Sequence, residues 1–225
     1  MNNNNSKGFT LVELMVAIAI FGLIITIVYT SFNTITSGSH TLKSQSTSME
    51  NARWAMMLIE KDLRSIFVSL EPEYKKPEFT DYKDPYRIIS ERSYTDGKEF
   101  SKLRFATFNH LSLNNNKTKT VAYVQYYVVN DPQKGFLLKR SDSLDQNEDD
   151  FSEDLKVPSL GEGVVSFKLT FFNSDNIELD EWNSDSNQNS FSTPKKVYIE
   201  LVLEDQGVKS IVATSIHLRN IRELK

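Results

Sequence analysis

The chain has no cysteine and only three histidines among its 225 residues. Without cysteine it cannot form a disulfide scaffold or a thiolate metal site, so its fold depends on its core alone. The histidines, His40, His110 and His217, are scattered and offer little for acid–base chemistry or metal binding. A formal net charge of −4 and a pI near 5.5 argue against a nucleic-acid-binding surface.

Catalytic motifs are missing as well. The sequence contains no G-x-S-x-G, no H-E-x-x-H and no P-loop. His217 lies in a strand pattern beside Arg219, where a structural role is the simpler interpretation. We therefore expect a protein that is not an enzyme and that has no cofactor and no metal centre.

Two acidic stretches leave one alternative to that expectation. The first comprises Asp142, Asp145, Glu148, Asp149, Asp150, Glu153 and Asp154. The second surrounds Trp182 and comprises Asp175, Glu178, Asp180, Glu181 and Asp185. Calcium prefers oxygen-rich loops, but in an EF-hand register counted from Asp145 the sixth position is Asp150 and the twelfth is Lys156. Such acidic stretches usually form solvated loops, and bound calcium is the alternative.

A long apolar run near the start is the most prominent feature of the sequence. Residues 1–8 are polar with one positive charge at Lys7, whereas residues 9–32 are almost entirely apolar apart from Glu13 and a few hydroxyl side chains. A helix over residues 9–32 spans roughly 36 Å, enough to cross a hydrocarbon core of about 30 Å. No Ala-x-Ala cleavage pattern follows, so we predict a transmembrane helix rather than a secretory signal peptide.

Glu13 is the exception within this apolar run. A carboxylate inside a spanning helix costs on the order of 2–3 kcal/mol unless something compensates it. Glu13 either lies near the membrane interface and reaches water, or it meets a positive charge supplied by another chain. The residues by themselves leave both interpretations open.

The string Gly8-Phe9-Thr10-Leu11-Val12-Glu13-Leu14, followed by the apolar run, resembles the signature of type IV prepilins and pseudopilins. This resemblance implies that a prepilin peptidase cleaves between Gly8 and Phe9 and methylates the new amino terminus. It also implies that Glu13 pairs with the terminal amine of a neighbouring subunit during assembly. That pairing would supply the compensation that a carboxylate in the membrane requires.

The helix is predicted to continue beyond the membrane, although residues 31–48 have poor helix propensity. From Met49 a 3.6-residue period places apolar side chains on one face, which we expect to pack on a globular domain. This stripe comprises Ala52, Met56, Ile59, Leu63, Ile66 or Phe67, and Leu70. Pro72 predicts the end of the helix at about Leu70.

After Pro72 the pattern changes to strands and turns. Residues 71–96 are predicted to be an irregular connection. Strands are predicted at residues 103–108, 121–129, 136–140, 165–171, 197–203 and 210–218, with a longer hairpin loop at 130–135 and a turn at 205–207. The predicted fold is α+β and pilin-like: a long N-terminal transmembrane helix followed by a mostly antiparallel β-sheet domain.

Two later segments resemble the minor pseudopilin of type II secretion called protein J. One is residues 53–63, and the other is the strand at 165–172 followed by Trp182, Pro194 and the strand at 197–203. The resemblance implies a subunit at the tip of a short periplasmic pseudopilus that helps to initiate the fibre and supports export across the outer membrane. Its expected partners are the minor pseudopilins H, I and K, the major pseudopilin and the prepilin peptidase.

Domain boundaries and location follow from these interpretations. We expect a leader peptide at 1–8, a transmembrane helix at 9–32, a periplasmic extension of the helix at 33–71 and a β-rich periplasmic domain at 72–225. The anchor would lie in the inner membrane with the bulk of the chain in the periplasm. This orientation rests mainly on the family resemblance. The alternative is a minor pilin of a type IV pilus, acting in assembly, adhesion or DNA uptake. Many such pilins carry a C-terminal cysteine pair, which this chain lacks.

Overall fold

The computed structural model describes residues 10–77, 83–109, 121–144 and 157–223, with the side chains of residues 39–46 left out. These ranges contain one long helix, α1 (Leu11–Arg64), and eleven strands. The strands are β1 (Ile66–Phe67), β2 (Ile89–Thr95), β3 (Lys98–Thr107), β4 (Ala122–Asp131), β5 (Gly135–Ser143), β6 (Ser159–Glu162), β7 (Val164–Phe172), β8 (Glu178–Leu179), β9 (Trp182–Asn183), β10 (Lys196–Asp205) and β11 (Val208–His217). The chain divides into two compact units, Met1–Ser44 and Gln45–Lys225.

Helix α1 includes residues 31–48, the segment whose composition is unfavourable for a helix. Threonine hydroxyls of this segment donate to backbone carbonyls one turn earlier, from Thr34 to Thr30 at 2.9 Å and from Thr36 to Phe32 at 2.9 Å. These bonds give the hydroxyl groups acceptors within the same helix, so the side chains do not compete with the helical conformation. The predicted continuation of the helix through residues 31–48 is confirmed.

The helix ends earlier than the position of Pro72 predicts. It stops at Arg64, and Ile66 and Phe67 pair with Thr107 and Ala106 as strand β1. The predicted end near Leu70 is therefore wrong by about a turn and a half, because pairing with β3 competes successfully with further helix. Ile66 is still buried, as a strand residue, whereas the predicted stripe member Leu70 is 46% exposed.

The strands form two antiparallel sheets. The larger sheet has the order β6-β5-β4-β3-β2-β9, with β1 also paired to β3, and the smaller has the order β11-β10-β7-β8. Where β3 approaches β7, the Leu169 N–H donates to the Ser101 hydroxyl at 3.0 Å. One apolar core joins both sheets to the buried stripe of the helix, and it includes Ala52, Met56, Ile59 and Leu63 with Phe105, Phe167, Phe171 and Ile199. The predicted packing of these four helix residues is confirmed.

The six predicted strands correspond to β3, β4, β5, β7, β10 and β11. The predicted α+β, pilin-like class is confirmed. The loop at 130–135 is tighter than expected, because Asp131 still pairs with Gly135. The Asp131 carboxylate accepts the N–H groups of Gln133 at 2.8 Å and Lys134 at 3.0 Å and thereby closes the turn.

Strand β2 corrects the prediction of an irregular connection at 71–96. It pairs with β3 from Ile89 with Arg104 to Thr95 with Lys98, so that Asp96 and Gly97 form a two-residue turn. Both turn residues have positive φ, 46° and 78°, as a type I′ hairpin turn requires. The strand was missed because most of its residues are partly or fully exposed and show no apolar alternation.

Candidate assembly site

The start of α1 forms a reciprocal cap between Thr10 and Glu13. The carboxylate atom Oε2 of Glu13 accepts the Thr10 N–H and the Thr10 hydroxyl, both at 2.9 Å. In return the Glu13 N–H donates to the Thr10 hydroxyl oxygen at 3.3 Å. This is a capping box, in which two helix-terminal N–H groups gain partners and the carboxylate lies near the positive end of the helix dipole.

The cap directs the Glu13 carboxylate back toward the beginning of the helix. Both of its donors are neutral groups, so a cation could still add a stronger, charge-assisted bond. The signal for this cap, Thr10-x-x-Glu13, is present in the sequence, but the predicted roles of Glu13 did not include it. Gly8 and Phe9, the predicted cleavage residues, lie outside the described residues.

The helix after this cap has the length and composition of a membrane span. The segment Leu11–Gly38 contains an 18-residue window with a mean hydropathy of 2.8, and none of that window is buried within the protein. Large apolar side chains such as Leu11, Phe21 and Tyr29 are each more than half exposed. Such a surface is unfavourable in water and is compatible with lipid or with the helices of other subunits.

A buried ion pair fixes the last turns of α1 to the larger sheet. Asp62 is 0% exposed, and its Oδ2 accepts the Arg140 Nε–H at 2.7 Å and the Tyr126 hydroxyl at 2.5 Å. Its Oδ1 accepts the side-chain amide of Asn109, and its backbone carbonyl accepts the Thr107 hydroxyl at 2.9 Å. We call these five residues the Asp62 cluster. It connects the helix to β3, β4 and β5.

The electrostatics of the Asp62 cluster are those of a structural contact. Burial and the neighbouring Asp62 charge raise the pKa of Tyr126 well above its ordinary value, so this hydroxyl stays protonated and donates. The Arg140 guanidinium balances the Asp62 carboxylate in a site closed to water. A buried charge with a partner and several hydrogen bonds is tolerated, whereas the same charge alone would be costly.

A second buried cluster centres on Arg222, in the segment after β11. Its Nη1 contacts the Asp84 carboxylate at 2.7 Å, and its Nε and Nη2 donate to the carbonyl groups of Phe191 at 2.8 Å and Ser184 at 2.7 Å. The guanidinium carbon lies 3.4 Å from the centre of the Tyr74 ring. Three stretches of irregular backbone, around residues 74, 84 and 184–191, are thereby held to the C-terminal segment.

Asp185 completes this Arg222 cluster. Its carboxylate accepts the Tyr74 hydroxyl at 2.8 Å and the Asp84 N–H at 2.7 Å, and it lies 3.7 Å from Arg222. Burial raises the pKa of Asp185 above its ordinary value, against the opposing effect of these two hydrogen bonds. Burial likewise raises the pKa of Tyr74. The arrangement holds loops together.

Comparison with known families decides what kind of protein carries this geometry. Residues 3–29 match the prokaryotic N-terminal methylation motif, and residues 30–213 match type II secretion system (T2SS), protein J. The chain belongs to the type II secretion system protein J family. It is a minor pseudopilin of that system, and the type IV pilus alternative is not favoured. A comparison with individually curated proteins gives no match.

Family membership gives the observed features their context. The family is a structural pseudopilin of the secretion system, and its members interact with other components of the pseudopilus. The apolar helix and the methylation motif fit a single-pass membrane anchor. The Asp62 cluster falls inside the range matched to protein J, whereas Arg222 lies beyond its last matched residue.

Trp182 is part of the core of this pseudopilin. It is buried, its ring centre lies 6.1 Å from that of Phe171, and its indole N–H donates to the Ser192 carbonyl at 3.1 Å. Two acidic neighbours have cationic or structural partners: Asp180 pairs with Arg92, and Asp185 belongs to the Arg222 cluster. Trp182 therefore packs into the core at the edge of the larger sheet.

The alternative of bound calcium concerns two acidic stretches, and the structure describes only part of the first. Most of the first acidic stretch, residues 145–154, lies outside the described residues. Asp142, in β5, lies 3.5 Å from Arg140. Within the described ranges, no three side chains of His, Asp or Glu come together as a metal site requires.

Sequence reasoning missed the two residues on which the clusters depend. Asp62 belongs to residues 53–63, for which the sequence predicts no role beyond the family resemblance. It nevertheless lies one turn after buried Leu58 and so falls on the buried side of the helix. Arg222 had no local signal, because its partners Asp84 and Ser184 are 138 and 38 positions away in sequence. Only the tertiary structure brings these groups together.

Proposed function

We propose that this pseudopilin is cleaved between Gly8 and Phe9, methylated on the new amino terminus and inserted in the inner membrane with its β-rich domain in the periplasm. There it joins the minor pseudopilins H, I and K at the tip of the pseudopilus, and the complex initiates the fibre. The match of residues 3–29 to the N-terminal methylation motif supports the processing steps. The match to protein J supports the place in the fibre.

The carboxylate of Glu13 is the group that joins the subunits in this proposal. The observation that carries it is the cap, which directs the Glu13 carboxylate toward the start of the helix. A neighbouring subunit's terminal amine arriving there would exchange neutral donors for a charged one. In an apolar environment that exchange lowers the cost of the carboxylate and links the two chains.

The first experiment is intact-mass and N-terminal analysis of the membrane-extracted protein, from cells with and without the prepilin peptidase. We expect a mature chain that starts at Phe9 and carries one methyl group, and we expect this form to be lost without the peptidase. An uncut chain starting at Met1 in both strains would overturn the proposed processing.

The role of Glu13 is tested by comparing two variants that affect the cap differently. Glu13→Ala removes both the cap and the charge, whereas Thr10→Ala removes the cap hydroxyl and keeps the charge. We expect normal cleavage in both and at least about tenfold lower incorporation into the pseudopilin complex for Glu13→Ala only. Incorporation is measured by co-purification from detergent extracts. Equal incorporation of Glu13→Ala and wild type would contradict the assembly role.

A further inference from the structure

A cavity of about 300 Å³ lies between the β7–β8 turn, the loop that follows β9 and the C-terminal segment. Leu179 of β8 and buried Trp182 of β9 form the apolar part of its wall, and the other described lining residues are polar. Small-molecule sites typically have volumes of about 300–1,000 Å³ and combine apolar walls with a few polar groups. The cavity therefore has the size and composition of a site for a small ligand.

The loop that forms one side of this cavity is held in place by bonds within the protein. The Ser190 N–H donates to the Asn187 carbonyl at 2.9 Å, and the Phe191 N–H donates to the Ser186 carbonyl at 3.0 Å. The Phe191 carbonyl in turn accepts the Nε–H of buried Arg222 at 2.8 Å. Ser190 and Phe191 both have positive φ, 52° and 53°, a strained conformation that clusters at binding sites. The cavity is thus preformed, which lowers the cost of ordering on binding.

One buried acceptor in the cavity lining has no partner. The side-chain amide of Asn189 donates from Nδ2 to the Asn183 carbonyl at 3.0 Å, and this bond fixes its orientation because a carbonyl group can only accept. The Oδ1 atom of Asn189 is buried, and no described residue donates a hydrogen bond to it. A buried acceptor without a donor is unfavourable. Because Asn189 lines the cavity, a ligand is the available source of that donor.

Three further lining side chains, those of Asp175, Gln188 and Ser190, have no hydrogen-bond or ionic partner among the described residues. The carboxylate of Asp175 only accepts hydrogen bonds, whereas Gln188 and Ser190 can both donate and accept. A hydroxyl group matches either kind, because it also donates and accepts. This set of groups favours a ligand that carries several hydroxyl groups.

The charges of the lining favour a neutral ligand. Lysine and arginine are absent from the described lining, whereas Asp175 and Glu223 are acidic and exposed, and the Glu223 carboxylate accepts the Ser174 hydroxyl at 2.5 Å. An anionic ligand would be repelled by these two carboxylates. A cation would have to leave water for a wall formed by Leu179 and Trp182, which is costly.

We infer that this cavity binds one ring of a neutral saccharide. The hydroxyl groups of the ring meet the free polar groups of Asp175, Gln188 and Asn189, and its C–H face packs against Leu179 and Trp182. This inference does not rest on the proposed assembly through Glu13, because none of the described lining residues belongs to helix α1.

Saturation-transfer NMR on the full chain, in a detergent without a sugar headgroup, tests the ligand class. The probes are glucose, galactose and N-acetylglucosamine, with glucuronate and glucosamine as the anionic and cationic counterparts. We expect at least one neutral sugar to bind at least about tenfold more tightly than either charged sugar. Failure of all three neutral sugars to bind would overturn the inference. Equal or tighter binding of glucosamine or glucuronate would overturn the choice of a neutral ligand.

A double variant tests the position of the site. Asp175→Ala together with Gln188→Ala removes two exposed, unpartnered groups, and an unchanged urea midpoint checks that the domain still folds. We expect the neutral sugar to bind at least about tenfold more weakly to this variant. Gln133→Ala, in the exposed β4–β5 turn, is the matched control and should bind as wild type does. Equal binding by the double variant and the control would place the sugar elsewhere and overturn the site.

A second measurement leaves the cavity residues unchanged. Trp54 and Trp182 are the two tryptophans of the chain, so Trp54→Phe, at an exposed position, leaves Trp182 as the only one. We expect the fluorescence of Trp182 to change with sugar concentration and to saturate with the dissociation constant that NMR gives. Binding detected by NMR without any change in Trp182 fluorescence would contradict a sugar in this cavity.

Discussion

The two compact units of this protein are stabilised by contacts of different range. In residues 10–38 the side-chain hydrogen bonds of Thr10, Thr26, Thr30, Thr34 and Thr36 join groups three or four positions apart. In the β-rich unit the Asp62 and Arg222 clusters join groups up to 153 positions apart. Local change should therefore disturb the first unit locally, whereas loss of one cluster residue should weaken the second unit as a whole.

The largest expected effect is that of Asp62→Ala. The substitution leaves the buried Arg140 guanidinium and Tyr126 hydroxyl without their main acceptor, which typically costs about 3–5 kcal/mol of unfolding free energy. Urea titration of the detergent-solubilised chain, followed by the fluorescence of buried Trp182, measures it. Lys61→Ala, at the adjacent exposed position, should stay within about 0.5 kcal/mol of wild type. Similar urea midpoints for the two variants would show that the Asp62 cluster contributes little.

Gly163→Ala is expected to have the next largest effect. Gly163 has φ +69°, and a Cβ built there would lie 2.2 Å from the Glu204 carbonyl oxygen. Left-handed strain together with this overlap should cost about 2–4 kcal/mol of unfolding free energy. Gly207, with φ +80° and nothing within 4 Å of its built Cβ, is the matched control. Gly207→Ala should lower the unfolding free energy through backbone strain alone, by about 1–2 kcal/mol. Equal losses of unfolding free energy in the two variants would mean that overlap with the Glu204 carbonyl adds nothing to the cost of Gly163→Ala.

A smaller effect is expected from pH, through Asp185. Because burial raises its pKa in the folded protein, the folded state holds this proton more tightly than the unfolded chain does. Its favourable contribution is present below the unfolded pKa, about 3.9, and is lost as the pH rises through the folded pKa. The difference in unfolding free energy between wild type and Asp185→Asn should therefore be more favourable to wild type at pH 3.5 than at pH 7. A pH-independent difference from urea titrations would contradict this.

The smallest expected effect lies in the first unit. Thr10→Ala removes the helix cap and should cost about 1 kcal/mol, confined to the first turn of α1. Amide hydrogen exchange in detergent micelles should be faster at residues 11–14, while the urea midpoint of the β-rich domain stays unchanged. Thr26→Ala, within the span, is the control that should leave the first turn unaffected. A shift in the urea midpoint with Thr10→Ala would contradict the separation of the two units.

Much of the fold could be predicted because its signals are local. Apolar alternation along β7 and β10 indicated strands that bury one face, and the period of Ala52, Met56 and Ile59 indicated the packed side of the helix. The end of the helix could not be predicted in this way. Ile66 and Phe67 suit a helix or a strand, and their pairing with β3, some forty residues later, decides between the two.

The functional and cluster residues show the same difference between local and long-range signals. Glu13 and its place in the prepilin-like signature were evident from the residues. The pattern of its cap, Thr10-x-x-Glu13, is present in the sequence but was not predicted. The roles of Asp62, Arg140, Asp185 and Arg222 were not. A buried charge looks like any other charged residue until its partner is known, and these partners come from distant strands and loops.

The sequence by itself determined the anchor, the family and the class of fold, because these depend on composition, on short motifs and on periods of two or 3.6 residues. Which charges are buried and where α1 stops depended instead on the tertiary structure, because the partners involved are far away in the sequence. Asp62 is buried because Arg140 on β5 balances its charge. Helix α1 ends at Arg64 because Ile66 and Phe67 pair with β3.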